Sequence, residues 1–379
     1  MRFLLLLLFT LVYSSEQVFV ACEGNYYQSN GSIWTIENGE AYSYPENPLG
    51  QVVQSMHVED NKLYVIVNVP GSIQVFDITR NGLIPSSYID TQGSGPREMV
   101  VVGEYLYFTN WYTADVKKLN LSTMQIENQI MMPGLPEDII FHNGELYVSI
   151  IMNNDWSDGD KVVAISLDND TITSTYSVGL GPSNLLVDNG DIYIARTYYD
   201  ETWNAFYGTS KINSNGSVIE NNYGAGLACG GSVHSLNGSV YRSFNGGVAQ
   251  LDEALNIIEN TRIGDYGFDN VYSVEVLDDN IYFGLSDYSA PDQVVVIDIS
   301  GDELANYEVG AIPGDFAIWK GCFNDGDVNS DGILNITDIV ISIYYILDDA
   351  PYNCEADINA DGSMNIIDIV VVTQQILQN

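Results

Sequence analysis

The stretch LYVIVNVPGSIQVFDIT, residues 63–79, contains the pattern from which the fold can be predicted. Two runs rich in β-branched and aromatic residues flank a Pro-Gly turn, as in a pair of adjacent β-strands. The first run recurs every 40 to 48 residues, as LYFTN from 106, LYVSI from 146, IYIAR from 192, VYRSF from 240 and IYFGL from 281. A repeat of this length, with several short strands in each copy, predicts the blades of a β-propeller.

The runs that follow keep the same spacing, as IQVFDIT from 73, VKKLNLS from 116, VVAISLD from 162, TSKINS from 209, VAQLDE from 248 and VVVIDIS from 294. They predict six complete four-stranded blades. Within residues 24–45, GNYYQ, SIWTIENG and EAYSYP are predicted as the second, third and fourth strands of another blade, whose first strand is DFAIWKG at 315–321. The expected fold is therefore all-β, a seven-bladed propeller over residues 23–320 that is closed by N- and C-terminal strands and leaves no sheet edge free.

The strands YFTN, LYVIVN, IQVFDIT and VVVIDIS resemble those of the YVTN-type surface-layer β-propeller family, over roughly residues 23–320. The resemblance implies a ring-shaped propeller with a binding or structural role. It implies no enzyme activity, because one fold serves many functions.

A polar residue lies eight places before the second strand of each repeat. Because innermost strands line the channel of a propeller, these side chains are expected at one mouth of it, where their oxygens suit a hard cation or a hydroxyl-rich ligand. The alternative is that they satisfy backbone N–H groups in the turns. The set is Ser55, Glu98, Asp138, Asn184, Ser232, Ser273 and Asp315. Aromatic residues predicted in loops are further candidates for carbohydrate contact, namely Trp111, Tyr112, Trp156, Tyr199 and Trp203.

Two acidic loops near the C-terminus repeat one pattern, DVNSDGILNITD at 327–338 and DINADGSMNIID at 357–368. Oxygen donors at places 1, 3, 5, 7, 9 and 12, with glycine at place 6, are typical of a chain that wraps a calcium ion. The predicted ligands of two ions are Asp327, Asn329, Asp331, Ile333 (through its carbonyl), Asn335 and Asp338, and then Asp357, Asn359, Asp361, Ser363, Asn365 and Asp368. Since like charges repel, this segment is expected to fold on binding calcium.

A helix is predicted after each loop. The two helices are expected to pack against each other through Ile339, Ile343, Ile346 and Leu347 on one side and Ile369, Val370, Thr373, Ile376 and Leu377 on the other. The absence of a helix before each loop, and Asp at place 12, resemble the type I dockerin module over residues 322–379. The resemblance implies attachment to a cohesin. Residues Ile336-Thr337 and Ile366-Ile367 depart from the Ser/Thr pair of cellulosomal dockerins, and the helices lack Lys and Arg, so another cell-surface partner is the alternative.

After Met1 and Arg2 comes the apolar run FLLLLLFTLVY, which predicts a signal peptide over residues 1–21 and hence export. No later run is long enough to predict a transmembrane segment in the mature protein. Alternatively, the leader ends in a lipid-attachment site at Cys22. In an oxidising compartment the four cysteines, which include Cys229, can pair, and the spacing leaves Cys322–Cys354 and Cys22–Cys322 both open.

The chain has 51 Asp and Glu against 12 Lys and Arg, a net charge of -39, which excludes nucleic acid as a partner. None of the usual catalytic motifs is present, and three histidines offer no evident catalytic pair. We therefore expect a secreted or cell-surface-attached, non-catalytic binding or scaffold protein. The alternatives are a propeller hydrolase or lyase that acts on polysaccharide with a metal at the channel mouth, and a structural surface-layer component.

Overall fold

A computed structural model describes residues 16–226, 231–267, 270–348 and 351–378. The chain divides into two compact units. One contains Ile78–Ile84 and the C-terminal residues from Trp319 onward, and the other contains Val18–Asp77 and Pro85–Ile318. Among the described helices, none is long and apolar enough to cross a membrane.

The larger unit is a seven-bladed β-propeller, as predicted, in which each blade is a separate sheet. The first described strands of the propeller are β1 (Glu16–Cys22), β2 (Ser32–Glu37) and β3 (Glu40–Ser43). The next blade contains β4 (Val52–Glu59), β5 (Lys62–Val69), β6 (Ser72–Thr79) and β7 (Gly82–Asp90). It is followed by β8 (Pro96–Val102), β9 (Tyr105–Asn110), β10 (Asp115–Asn120) and β11 (Gln125–Met131).

Two further four-stranded blades follow the same order. The first contains β12 (Leu135–His142), β13 (Glu145–Met152), β14 (Asp158–Ser166) and β15 (Thr171–Ser177). The second contains β16 (Pro182–Asp188), β17 (Asp191–Tyr199), β18 (Ala205–Ile212) and β19 (Val218–Ala225).

The next blade has three strands in the part of the chain that the structure describes, β20 (Val233–Leu236), β21 (Ser239–Phe244) and β22 (Gly247–Gln250). The sequence predicted four. The place of the fourth strand is taken by two isolated bridges, Val248 with Ile263 and Leu251 with Ile257, and a short 3-10 helix at Glu259–Thr261 interrupts the pairing between them. The following blade is complete, with β23 (Val271–Leu277), β24 (Asn280–Leu285), β25 (Asp292–Ile297) and β26 (Glu303–Val309).

The seventh blade combines both ends of the propeller, in the order β27 (Pro313–Lys320), β1, β2 and β3. The prediction that GNYYQ forms its second strand is wrong, because β1 takes that place and residues 24–28 lie in the loop that follows. Strand β1 overlaps the predicted leader at residues 16–21, while residues 1–15 lie outside the described part. Val18–Cys22 is completely or almost completely buried, as expected of a strand covered on both faces.

Apolar packing between neighbouring sheets holds the ring together, since no continuous ladder of hydrogen bonds runs around it. One cluster joins Ile66 and Val75 of one blade to Leu106 and Phe108 of the next. Similar clusters join the other blades, and each blade therefore depends on its neighbours for burial of its faces.

The C-terminal residues form helices α1 (Ile336–Leu347) and α2 (Ile366–Gln378), with a 3-10 turn at Cys354–Ala356. A disulfide joins Cys322 to Cys354, so the alternative bridge to Cys22 is not formed. Cys22 is buried and outside any disulfide in the described part of the chain, and burial raises the pKa of its thiol. Cys229 lies outside the described residues.

Candidate calcium loops and the polar mouth of the ring

The two predicted calcium loops have the same internal hydrogen bonds. Both carboxylate oxygens of Asp327 accept backbone N–H groups, from Asp331 at 3.1 Å and from Gly332 at 2.8 Å. The equivalent bonds in the second loop have the same lengths, from Asp361 at 3.1 Å and Gly362 at 2.8 Å to Asp357. Both glycines have positive φ, 78° and 82°, which permits the sharp turn at place 6. The sequence repeat is therefore also a repeat of geometry.

The side chains at place 12 connect each loop to its helix. Asp338 is fully buried and accepts the N–H of Asn335 at 2.9 Å, while the Asn335 side chain accepts the N–H of Thr337 at 2.8 Å. The second loop repeats these two bonds, from Asn365 to Asp368 at 2.8 Å and from Ile367 to Asn365 at 2.9 Å. The same aspartate thus caps the helix and faces the loop interior.

Calcium fits this donor set because every predicted side-chain ligand offers oxygen. Asp357 and Asp368 are fully buried, and within the described residues no lysine, arginine or histidine pairs with the second loop's carboxylates. Buried carboxylates without a cation are costly, so a divalent ion would offset their repulsion. No three Asp, Glu, His or Cys side chains converge into a metal centre in the described part of the chain. The asparagine side chains and the carbonyl at place 7 would therefore have to complete the set.

The loops also fix the rotation of the two helices. Because Asp338 and Asp368 point inward, residues one turn further along, Ser342 and Val372, are buried as well. The predicted burial of Ile343, Leu347, Val370 and Leu377 is therefore wrong. The exposed apolar residues are Ile336, Val340, Ile343, Tyr344 and Leu347 on α1, and Ile366, Ile367, Val370 and Leu377 on α2. We call this set the docking face.

Arg80 belongs to the same compact unit and was not predicted as a site residue. Its guanidinium binds Asp325 through two hydrogen bonds of 2.8 and 3.1 Å and pairs with Glu355 at 3.1 Å. It also lies 4.9 Å from the ring centre of Phe323. Asp325 and Glu355 each lie two residues before a calcium loop, so one arginine holds the entries of both loops. No local sequence signal marks a contact made across more than 200 residues.

In the propeller unit, six of the seven predicted ring residues line one cavity of about 240 Å³, and the seventh, Ser55, is buried. Glu137 and Glu275 also line it. Arg97 pairs with Glu137 at 2.6 Å and lies 4.3 Å from the ring centre of Trp111. We call the cavity lined by the six ring residues, Glu137 and Glu275 the acidic mouth. Glu275 was missed by the sequence analysis, although it lies two places after Ser273 on a strand and therefore on the same side of the sheet.

Most ring residues hydrogen-bond the backbone of the next innermost strand. Carbonyl groups accept from the hydroxyls, Ser55 to Arg97 at 2.6 Å, Ser232 to Val274 at 3.4 Å and Ser273 to Pro313 at 2.7 Å. The other side chains accept backbone N–H groups, Asp138 from Leu185 at 2.6 Å, Asn184 from Val233 at 2.9 Å and Asp315 from Met56 at 2.6 Å. These side chains therefore link separate sheets. The sequence had suggested either a ligand site or hydrogen bonds to N–H groups in the turns, and neither interpretation included a link between blades.

Glu98 is the exception in this ring. Its carboxylate has no hydrogen-bond partner among the described residues, and the adjoining strand is instead linked by Thr109, which donates to the carbonyl of Glu137 at 2.7 Å. Burial, then the neighbouring charges of Asp315 and Asp138, raise the pKa of Glu98 well above its ordinary value. Glu98 is therefore the ring residue most available to a ligand.

Burial also raises the pKa of other carboxyl groups at the acidic mouth. The pKa rises to about 6 for Asp138, to about 7 for Asp315 and to about 8 for Glu275, where the charge of Asp315 adds to the effect. Desolvation favours the neutral form of each acid, and mutual repulsion acts in the same direction. A cation in the mouth would favour the charged forms.

The loop aromatics lie at the same end of the blades as the acidic mouth. The start of each innermost strand pairs with the end of the second strand, for example Pro96 with Asn110 and Leu135 with Met152. The loops that leave the second strands therefore surround the mouth. They carry four of the five predicted aromatic residues, Trp111, Tyr112, Trp156 and Trp203, and in addition Tyr26, Tyr27 and Tyr288. Tyr199, which was predicted in a loop, is the last residue of strand β17.

The model of the family "Dockerin type I domain" matches residues 325–377. Dockerin domains bind cohesins and bind calcium. A comparison with curated proteins gave no match.

Several solved structures share the propeller fold. A functionally unknown protein from Desulfotomaculum acetoxidans is 12% identical, with TM-score 0.59 over 80% of this chain and 99% of that chain. Hydrazine synthase of Kuenenia stuttgartiensis is 12% identical, with TM-score 0.55 over 69% of this chain and 88% of that chain. The computationally designed Ika8 protein is 11% identical, with TM-score 0.53 over 82% and 94%. At these identities the likeness concerns the fold alone. The described residues thus contain a seven-bladed β-propeller, which is followed in sequence order by a dockerin type I domain at residues 325–377.

Proposed function

We propose that this chain is an exported, non-catalytic binding protein whose propeller is attached, through a calcium-loaded dockerin, to a cohesin-bearing assembly at the cell surface or outside the cell. The match at residues 325–377, with the same hydrogen bonds in both loops, carries this proposal. The proposal includes two bound calcium ions, one in each loop. It also includes the assignment of the ring to the YVTN-type propeller family and a role near polysaccharide.

The docking face favours a cohesin with an apolar contact surface. It presents isoleucine, valine, leucine and tyrosine, and neither helix contains lysine or arginine. Exposed apolar patches of this kind mark protein contact sites. The exposed positions repeat between the helices, with Ile336 and Ile366, Val340 and Val370, and Leu347 and Leu377 each 30 residues apart.

Export requires a leader, and strand β1 limits where it ends. Cleavage after residue 21, whether or not a lipid is then attached to Cys22, would remove most of the buried strand β1. Strands β2 and β27 would lose the neighbour that lies between them. We therefore place the mature start at or before Glu16, rather than at the end of the predicted leader.

Binding of the full chain to immobilised cohesins tests the proposal. Capture is expected in calcium and is lost in chelator. The double variant Val340→Glu, Val370→Glu changes both helices and should weaken binding at least about tenfold, because charge is then buried in an apolar contact. Tyr88→Glu, at an exposed position on the outer strand β7, is the matched control and should bind normally. Binding that persists in chelator, or in the double variant, would contradict the proposal.

A further inference from the structure

One five-residue turn recurs in the described part of the propeller. The N–H of its first residue donates to the carbonyl of the fifth, and the N–H of its fourth donates to the carbonyl of the first. The fourth residue always has positive φ. The turns are 153–157, 200–204, 213–217, 252–256 and 298–302, and their fourth residues are Trp156, Trp203, Gly216, Leu255 and Gly301.

Glycine is the unstrained choice for this fourth place, and two of the turns use it. Leu255 is explained by burial, since its side chain is fully enclosed beside Val240 and Leu251. Trp156 and Trp203 are 59% and 82% exposed, so packing does not offset the strain of a positive φ. Large exposed aromatic side chains held in a strained conformation indicate a role in binding.

The two strained tryptophans belong to adjacent blades at the end that surrounds the acidic mouth. The strand residues that flank the two turns are in contact, since the N–H of Tyr199 donates to Asp158 at 3.1 Å. Tyr288, which is exposed and has a φ of 67°, provides a third aromatic side chain of this type at the same end.

Trp111 connects these aromatics to the acidic mouth. Its ring lies edge-on to that of Trp156, with 6.3 Å between the ring centres, and the Arg97 guanidinium lies 4.3 Å from the ring centre of Trp111. The indole N–H of Trp111 is enclosed and has no acceptor among the described residues. A buried donor without a partner is costly unless a ligand supplies an acceptor.

We propose that these aromatic residues form a carbohydrate-binding face, and that its ligand is a glycan with free amino groups. The C–H groups of a pyranose ring carry partial positive charge and pack on the negative face of an aromatic ring, while hydroxyl oxygens accept from N–H groups such as that of Trp111. An ammonium group complements the acidic mouth, where Glu98 has an unused carboxylate. This inference names the ligand of the binding protein proposed above and rests on that function.

Calorimetry on the calcium-loaded full chain tests the inference with a glucosamine hexasaccharide, cellohexaose and trilysine as probes. The glucosamine oligomer should bind roughly tenfold more tightly than cellohexaose, and trilysine should bind far more weakly. Glu98→Gln should reduce only the preference for the amino sugar. Trp203→Gly should lower affinity for both sugars roughly tenfold with an unchanged or higher Tm, because glycine suits the turn.

Leu255→Gly is the matched control, at the same place in another copy of the turn, and it should lower Tm while sugar affinity stays unchanged. Equal affinity for the two sugars, full binding by Trp203→Gly, or trilysine binding as tight as that of the amino sugar would overturn the inference. A chain that binds cohesin but none of the sugars would overturn it as well, while leaving the proposed function in place.

Discussion

Glu275 lies beside Asp315 and Asp138 in a cavity where acids outnumber bases. Stability should therefore depend on pH, because the folded chain keeps protons that the unfolded chain has already lost. The unfolded groups titrate near 3.8 to 4.5, whereas the folded groups titrate at about 6 to 8. The contribution of these groups to the free energy of unfolding therefore falls as pH rises from about 4 to about 8.

Glu275→Gln removes the group with the highest of these three pKa values. At saturating calcium, the propeller's Tm in the variant should exceed the wild-type Tm at pH 8, and the two should converge near pH 4. Glu308→Gln, at an exposed site on the outer strand β26, is the control and should follow wild type. Parallel curves for Glu275→Gln and wild type across this range would contradict the pKa assignments.

The sequence located the ring residues but not their partners. A fixed offset from the second strands identifies Ser55, Asp138 and Asp315, because the blades repeat with nearly constant geometry. The strand that each side chain contacts belongs to another blade, so its identity depends on how the sheets pack. Repeat alignment contains no information on that packing.

The side-chain links between innermost strands are expected to stabilise the ring. Asp315→Ala leaves the N–H of Met56 without its acceptor, and Met56 is buried, so the change should cost about 1–3 kcal/mol. Glu98 holds the same place in its own blade as Asp315, but the change Glu98→Ala removes no hydrogen bond. Because it also relieves repulsion, it should leave the free energy of unfolding unchanged or raise it. Urea denaturation of both variants in calcium measures the difference, and equal losses would show that the links do not stabilise the ring.

Strand β1 shows where sequence reasoning failed for an element. Its residues QVFVAC form a short apolar run within the last residues of the predicted leader and lack the alternation that marks a half-exposed strand. A strand buried on both faces gives such a run, which is also compatible with the end of a leader. The second and third strands of the six other blades are confirmed, because each repeats the same motif.

Helices α1 and α2 were predicted correctly in position but not in rotation. Spacing alone allows several apolar stripes on α1, since isoleucine occurs at 336, 339, 341, 343 and 346. The loop aspartate at the start of each helix selects one rotation, and the remaining apolar residues form the docking face. That choice depends on a loop contact which hydrophobic periodicity does not represent.

The two units differ in what is expected to stabilise them, since the propeller is held together by apolar packing whereas the C-terminal module is proposed to depend on calcium. The propeller unit has clusters of buried aliphatic and aromatic residues between its blades. The C-terminal helices bury few apolar side chains, and their aspartates are enclosed. Metal binding would therefore supply much of the folding free energy of the module.

Amide hydrogen exchange of the full chain, in calcium and in chelator, tests this claim most directly. Peptides covering 327–347 and 357–377 should lose most of their protection when calcium is removed. Peptides from the propeller, such as 63–79 and 146–165, should exchange at the same rate in both conditions. Equal protection of the C-terminal peptides with and without calcium would contradict calcium-dependent folding of the module.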